Sequence, residues 1–355
     1  MKFNKNIFLS LFVLGTVASS TTYAGNEDRA GSAGATEVNI NPWARSLGWG
    51  DAGVASVTGL EAMFVNVAGL AFADGTEISF ARTNWLGSAA GIGLNTFGLA
   101  QKLGESGVFG LAITSFDYGD IQVTTTELPE GGIGNFSPSS LNFTLSYAKQ
   151  FSTSISGGLN LKIVSSSISN VKAQGMAIDA GIRYVTGEND QMKFAISLRN
   201  VGAPIKYSGD GLAIEMQNIT TELEITSEQR AASFELPSQL HIGTSYDFIF
   251  NEKSLLTMAL AYTSNSFTRD QWRLGGEYTI KSDKAHFILR AGYVYESEIF
   301  SKENRATAIT GPTGGFTIDF PIGENETTLG LDYGVRTGAL GVIHTVGARI
   351  NLGGK

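Results

Sequence analysis

QWRLGGEYTIK, residues 271–281, places Trp272, Leu274, Gly276, Tyr278 and Ile280 on one face of an extended chain. Gln271, Arg273, Gly275, Glu277, Thr279 and Lys281 fall on the other. Successive side chains of a strand point to opposite faces, so this alternation predicts a β-strand with one apolar face and one charged face. The same division recurs at 175–184, where Met176, Ile178, Ala180, Ile182 and Tyr184 oppose Asp179, Gly181 and Arg183. At 329–336, Leu329, Leu331, Tyr333 and Val335 oppose Gly330, Asp332 and Arg336.

Alternation by itself also suits a soluble sandwich, whose apolar faces pack together. Strand length, strand number and loop asymmetry decide between the two. Strand-like runs fall at 76–83, 90–102, 107–118, 140–150, 155–168, 174–186, 191–201, 238–249, 254–264, 270–281, 285–297, 311–320, 326–336 and 340–352. That is about fourteen, an even number of lengths that cross a bilayer when tilted. Short turns (GESG, FSTS, GEND, NEK, SDK, GEN) alternate with the other connections, and the three long segments, 119–139, 202–237 and 298–310, all fall on the other side. Pro129 and Pro138 sit in the first long loop and Pro204 and Pro237 bracket the second, leaving strand interiors nearly free of proline. The last run, HTVGARINL, opposes Val346, Ala348, Ile350 and Leu352 to Gly347, Arg349 and Asn351. The fold predicted is all-β: a transmembrane antiparallel barrel of about 14 strands, which leaves no free sheet edge.

Composition agrees. The chain of 355 residues has 44 Gly, 10% aromatics and no Cys, so stability does not rest on disulfides. Lys2 and Lys5 precede the apolar run IFLSLFVLG, too short to span as a helix, and Thr22 and Ala24 supply the small-residue pattern of a cleavage site. Residues 1–24 therefore read as a signal peptide with Gly25 as the new first residue. Losing two Lys and no acid moves the formal charge from -8 to -10, which argues against nucleic acid as a partner. Outer-membrane lipid is the expected surrounding.

Residues 25–75 break the pattern. ARSLGWGDAGVASVTGLEAMFVNVAGLAF, residues 44–72, is rich in Gly and Ala and poor in charge. Its GDAGVASVTGLEAM portion is expected to form a short amphipathic helix with Val54, Val57 and Leu60 on one side. A segment this apolar, tethered to the first strand of a fourteen-stranded barrel at 76–355, is a candidate plug for the lumen. Arg45 suits pinning such a segment by binding several backbone carbonyls, and Asn66 suits satisfying turn groups through its amide. Gly48, Gly50 and Gly69 allow close approach or positive φ.

These residues also carry a resemblance. Arg45, Gly48, Gly50 and Val54, followed by Asn66-Val67-Ala68-Gly69-Leu70, resemble the A-R-x-x-G-x-G-x-A-x-V-A and N-P-A-G-L signature of the PorV/PorQ family. Thr83-Asn84-Trp85-Leu86, Leu198-Arg199-Asn200-Val201-Gly202 and Leu236-Pro237 add to it. The resemblance implies a fourteen-stranded outer-membrane barrel of the wider FadL-like group, of the Bacteroidetes. It implies attachment to the type IX secretion translocon, or reception of cargo through C-terminal signal domains.

Nothing in the sequence supports an enzyme, a metal site or a cofactor. His241, His286 and His344 lie in separate strands without metal-ligand spacing, and no G-x-S-x-G elbow occurs. GIGLNTFG and EGGIGNFSP lack the βαβ setting of a phosphate loop. Charges expected to face the lumen (Lys162, Asp179, Arg183, Lys193, Arg199, Arg273, Glu277, Arg290, Asp332, Arg336, Arg349) carry both signs and read as a network holding the plug, or as a polar conduit. Ile121, Leu128 and Phe136 in the first long loop, and Leu212, Ile214, Met216 and Leu223 in the second, read as a docking surface or as a lid. The rival function is FadL-like transport of a hydrophobic small molecule, with Val54, Phe64, Phe72 and Trp85 lining a lumen pocket. A purely structural barrel is the third reading.

Overall fold

The computed structural model describes residues 25–87, 91–217, 224–322 and 327–353. Fourteen long strands form one closed antiparallel sheet: β1 (Thr76–Trp85), β2 (Ile92–Leu103), β3 (Gly107–Asp117), β4 (Ser139–Gln150), β5 (Ile155–Ile168), β6 (Val171–Thr186) and β7 (Met192–Gly202). They continue as β8 (Gln239–Asn251), β9 (Ser254–Asn265), β10 (Gln271–Lys281), β11 (His286–Glu296), β12 (Gly311–Ile322), β13 (Thr327–Gly338) and β14 (Gly341–Leu352). Each pairs with its sequence neighbour, and β1 closes on β14 in a register running from Thr76↔Leu352 to Asn84↔His344. Closure satisfies the backbone polar groups that an open edge would leave bare in lipid.

The faces separate as the period-2 reading requires. Met176, Ile178, Ile182 and Tyr184 of β6 are exposed, while Asp179 and Arg183 between them are buried. In β10, Trp272 and Leu274 point out and Gly275 is buried. An apolar face that covers the outside of the sheet rules out a sandwich, where that face would be inside, and fits lipid. Among the described residues no helix is long and apolar enough to cross a membrane, which says nothing of a barrel.

The two rims differ. Connections 104–106, 151–154, 187–191, 252–253 and 282–285 are tight turns on one rim, where β1 starts and β14 ends; the GEN turn lies outside the described residues. Connections 118–138, 203–238 and 297–310 crown the other, together with two-residue hairpins at 169–170 and 339–340. Within the crown, 121–122 pairs with 135–136, 213–217 pairs with 224–228, and Tyr207–Ser208 adds to the edge of β6.

Residues 41–73 are buried, apart from half-buried Arg45, Ser56, Thr58 and Phe72. The amphipathic helix expected within 50–63 is not formed. One five-residue α-helix, α1 (Ala44–Gly48), precedes that stretch, and 3-10 turns at Leu60–Phe64 and Val67–Phe72 follow. Gly50 and Gly59 have φ of +71° and +78° and Asp51 has φ of 55°, a left-handed conformation that breaks a right-handed helix. Val54, Val57 and Leu60 are nonetheless all buried. Gly25 donates from its backbone N to Asp270 at 2.8 Å, and Arg29 pairs with Glu235 at 2.6 Å. The described residues therefore run from the long-loop rim, where Gly25 lies, to the short-turn rim, where β1 starts beside the end of β14.

Candidate functional site

Strands from around the barrel grip residues 37–74 by their inner-facing side chains. Asp51 is the strongest anchor: its Oδ2 accepts from Arg336 of β13 at 2.6 Å and lies 3.5 Å from Arg273 of β10, and its Oδ1 accepts from Asn41 at 3.0 Å. On the opposite wall, Asn160 of β5 donates to the Met63 carbonyl at 2.8 Å, and Arg183 of β6 lies over the Phe72 ring at 4.4 Å and reaches the Val57 carbonyl at 3.4 Å. Glu77 of β1 accepts from Leu60 N, and Thr313 of β12 donates to the Gly48 carbonyl. Nearer the long-loop rim, Glu37 accepts from Ser140 and Ser166.

Asn66 shows why its residue type is needed. Its Oδ1 accepts from Ala68 N at 3.1 Å while its Nδ2 donates to the Val54 carbonyl at 3.0 Å and to the Ile182 carbonyl of β6 at 3.2 Å. One amide thus closes a turn, ties it to the preceding loop and fastens both to the wall. Gly181 faces it, and a Cβ there would lie 2.0 Å from Asn66 Oδ1. The opposite wall shows the same fit: a Cβ on Gly334 of β13 would meet the Ala44 carbonyl at 2.4 Å. Inner-face glycines therefore let the segment touch the sheet backbone, which explains glycines in strands that otherwise favour branched side chains.

Arg45 departs from the expectation. Its partner is the buried Glu61 carboxylate, at 3.6 Å, rather than a set of carbonyls. Burial pushes the Glu61 carboxyl up against the pull of Arg45 and Arg290. Gly48 packs where a Cβ would be 3.1 Å from Gly315 Cα, Gly50 supplies the positive φ, and Gly69 lies so close to the Val57 carbonyl that a Cβ would sit at 2.2 Å.

The lumen charges pair off. Lys162 meets Asp179 at 2.6 Å and Arg290 meets Glu277 at 2.6 Å, while Lys193 pairs with Asp247, and Arg349 with Asp319 and, at 3.9 Å, with Asp332. Arg199 donates to the Val38 carbonyl at 3.4 Å. Val54, Phe64 and Phe72 share one hydrophobic cluster with Trp43 and Leu70; Trp85, at the far end of β1, is not part of it. Phe64 lines a cavity with Glu37, Val38 and Phe116 of about 10 Å³, and a second cavity, beside Arg45 and Glu61, is about 20 Å³. Each admits about one water. His241 is buried against Gln239, and His344 bonds to Tyr333 at 2.8 Å. Among the described residues no His, Cys, Asp and Glu group has metal-site geometry.

On the long-loop rim, Ile121, Leu128, Ile214 and Met216 are exposed, Phe136 and Leu212 are half-buried, and Leu223 lies outside the described residues. Ile225 joins Ile214 and Met216 on the exposed 213–217/224–228 hairpin. Asp51, Glu61 and Glu77 are the anchors that sequence reasoning missed. Acidic residues at the start of and within an otherwise apolar segment were the signal, since a buried carboxylate needs a cationic or N–H partner.

The structure is similar to outer-membrane channels. It matches the CymD monoaromatic hydrocarbon channel (TM-score 0.50, 14% identity, 88% of this chain and 96% of that one). It also matches a FadL homologue of Pseudomonas aeruginosa (0.54, 12%, 87% and 98%) and the Pseudomonas putida toluene transporter TodX (0.52, 12%, 84% and 94%). At such identities the likeness is one of fold. No curated protein matches the sequence significantly. A family model described as type IX secretion system protein PorV matches residues 23–266, which takes in the N-terminal segment and the barrel strands β1–β9. This outer-membrane β-barrel belongs to the PorV family.

Proposed function

We propose that this barrel is a non-enzymatic component of type IX protein secretion, which binds translocon subunits or cargo C-terminal domains through its long-loop rim. Residues 25–75 act as a plug, 76–355 as the membrane barrel, and the long loops face the cell exterior with the end of β14 in the periplasm. The observation that supports the reading is the burial of residues 41–73 against inner-facing side chains of the sheet, beneath an apolar crown. The segment is tied to the wall on all sides, whereas Ile214, Met216 and Ile225 project from a hairpin with nothing described packed over them. Such a protein acts at its surface rather than through its interior.

Removing 213–228 tests this without touching the wall, because Ile205 and Phe234, which pair with each other and pack near Leu236, remain. The shortened protein is expected to keep its heat-modifiable migration and lose its secretion partners. Retained partners would refute the docking role. The second reading, transport of a hydrophobic small molecule, draws on the channel fold of its structural neighbours. It requires the plug to move, since the cavities beside it hold about one water each. A bound fatty or aromatic compound in protein extracted from native membranes would favour it.

A further inference from the structure

At the long-loop rim, Gly25 sits in a built socket. Its N donates to Asp270 Oδ2 at 2.8 Å, and the same oxygen accepts from Tyr262 OH at 2.5 Å. Asp270 Oδ1 accepts from Asn265 N at 3.1 Å, and Asn265 Nδ2 holds the Arg269 carbonyl at 2.7 Å. The carboxylate is thus aimed by its own loop, between β9 and β10. Contact is close on the carbon side too: a Cβ on residue 25 would lie 2.8 Å from both Asp270 Oδ1 and the Thr268 carbonyl, and 2.9 Å from Asp270 N. Only glycine fits this geometry. The next residues are latched to the same rim, with the Arg29 guanidinium 4.3 Å over the Phe267 ring and paired with Glu235, and Gly34 N donating to the Glu235 carbonyl at 3.1 Å.

Gly25 is also the residue that follows the small-residue cleavage pattern Thr22-x-Ala24. We propose that the Asp270 carboxylate is a receptor for the mature α-ammonium group of Gly25, so that removal of the leader completes a latch that fastens the N-terminal segment to the outer rim. Hydrolysis of the Ala24–Gly25 bond by a signal peptidase adds one water. Ala24 leaves with the carboxylate, and Gly25 keeps the nitrogen as an amine that takes up a proton. Where a peptide N–H offers the carboxylate one neutral donor, the ammonium brings a full positive charge and turns the hydrogen bond into an ion pair. The uncleaved chain can form the weaker contact only. Processing therefore changes the chemistry of this contact without moving an atom of the wall.

The test uses mature protein purified from outer membranes in mild detergent, exposed to acetic anhydride over a pH series and read by peptide mass spectrometry. A free α-amine titrates near pH 8. A facing carboxylate raises that midpoint by about one unit or more, making labelling at pH 7–8 at least about tenfold slower than in denaturant-unfolded protein. Burial alone would lower the midpoint, so the direction separates a latch from simple shielding. Asp270→Asn is expected to return the labelling midpoint to the unfolded value while the barrel keeps its migration; if that variant fails to fold, the folded and unfolded wild type still decide the matter. A first residue other than Gly25, a midpoint at or below that of the unfolded chain, or a midpoint unchanged in folded Asp270→Asn would overturn the proposal.

Discussion

Asp51→Asn tests whether the N-terminal segment is held by buried charge. The substitution keeps the side-chain shape, and asparagine tolerates the φ of 55° that residue 51 adopts. What it removes is the charge that faces Arg336 at 2.6 Å and Arg273 at 3.5 Å, both guanidinia lying inside the barrel. Taking one partner from a buried ion pair costs about 3–5 kcal/mol, because the remaining charge is left without compensation. At 1.4 kcal/mol per factor of ten, opening of the segment becomes about a hundredfold to a few thousandfold more frequent. Hydrogen exchange in detergent reads this directly, since amides of 41–74 report local opening and strand amides report the barrel. The expected result is faster exchange across 41–74 with β1–β14 unchanged. Protection in 41–74 within about threefold of wild type, against the range worked above, would refute the reasoning.

Two further outcomes follow from the same geometry. Leu331, near the middle of β13 and exposed on its outer face, is expected to lose about 2–4 kcal/mol in vesicle-based unfolding when replaced by arginine, whereas Leu331→Met stays near wild type. With residues 25–75 acting as the proposed plug, the wild-type protein is expected to show no steady ion conductance in planar bilayers; a stable porin-like current would contradict that.

Much of this architecture was legible in the chain because barrel strands obey a simple rule. Lipid outside and polar groups inside impose period 2, so runs such as 155–168 and 270–281 fall within a residue of β5 and β10. The segment 44–72 was legible only in its destination. Its low charge said that it would be buried, but an α-helix over 50–63 was the wrong local structure, since Gly50, Asp51 and Gly59 take positive φ. Local propensity gave way there to the shape of the wall. Partners were harder still to read. Arg336 lies 285 residues from Asp51, and only closure of the sheet brings them together. The mutual fit of Asn66 with Gly181, or of Ala44 with Gly334, likewise exists only once the segment has entered the barrel. Nor does periodicity reveal that the chain enters from the long-loop rim, because the contact of Gly25 with Asp270 is a property of the folded crown.

The central claim is that the long-loop rim docks secretion partners above a closed lumen. A photo-crosslinking amino acid placed at Met216 in living cells, with Leu331 as the lipid-facing control, measures this most directly. Protein adducts are expected at 216, identified by mass spectrometry as translocon subunits or secreted proteins with a C-terminal signal domain, and lipid adducts alone at 331. Lipid or no adducts at both positions would contradict it.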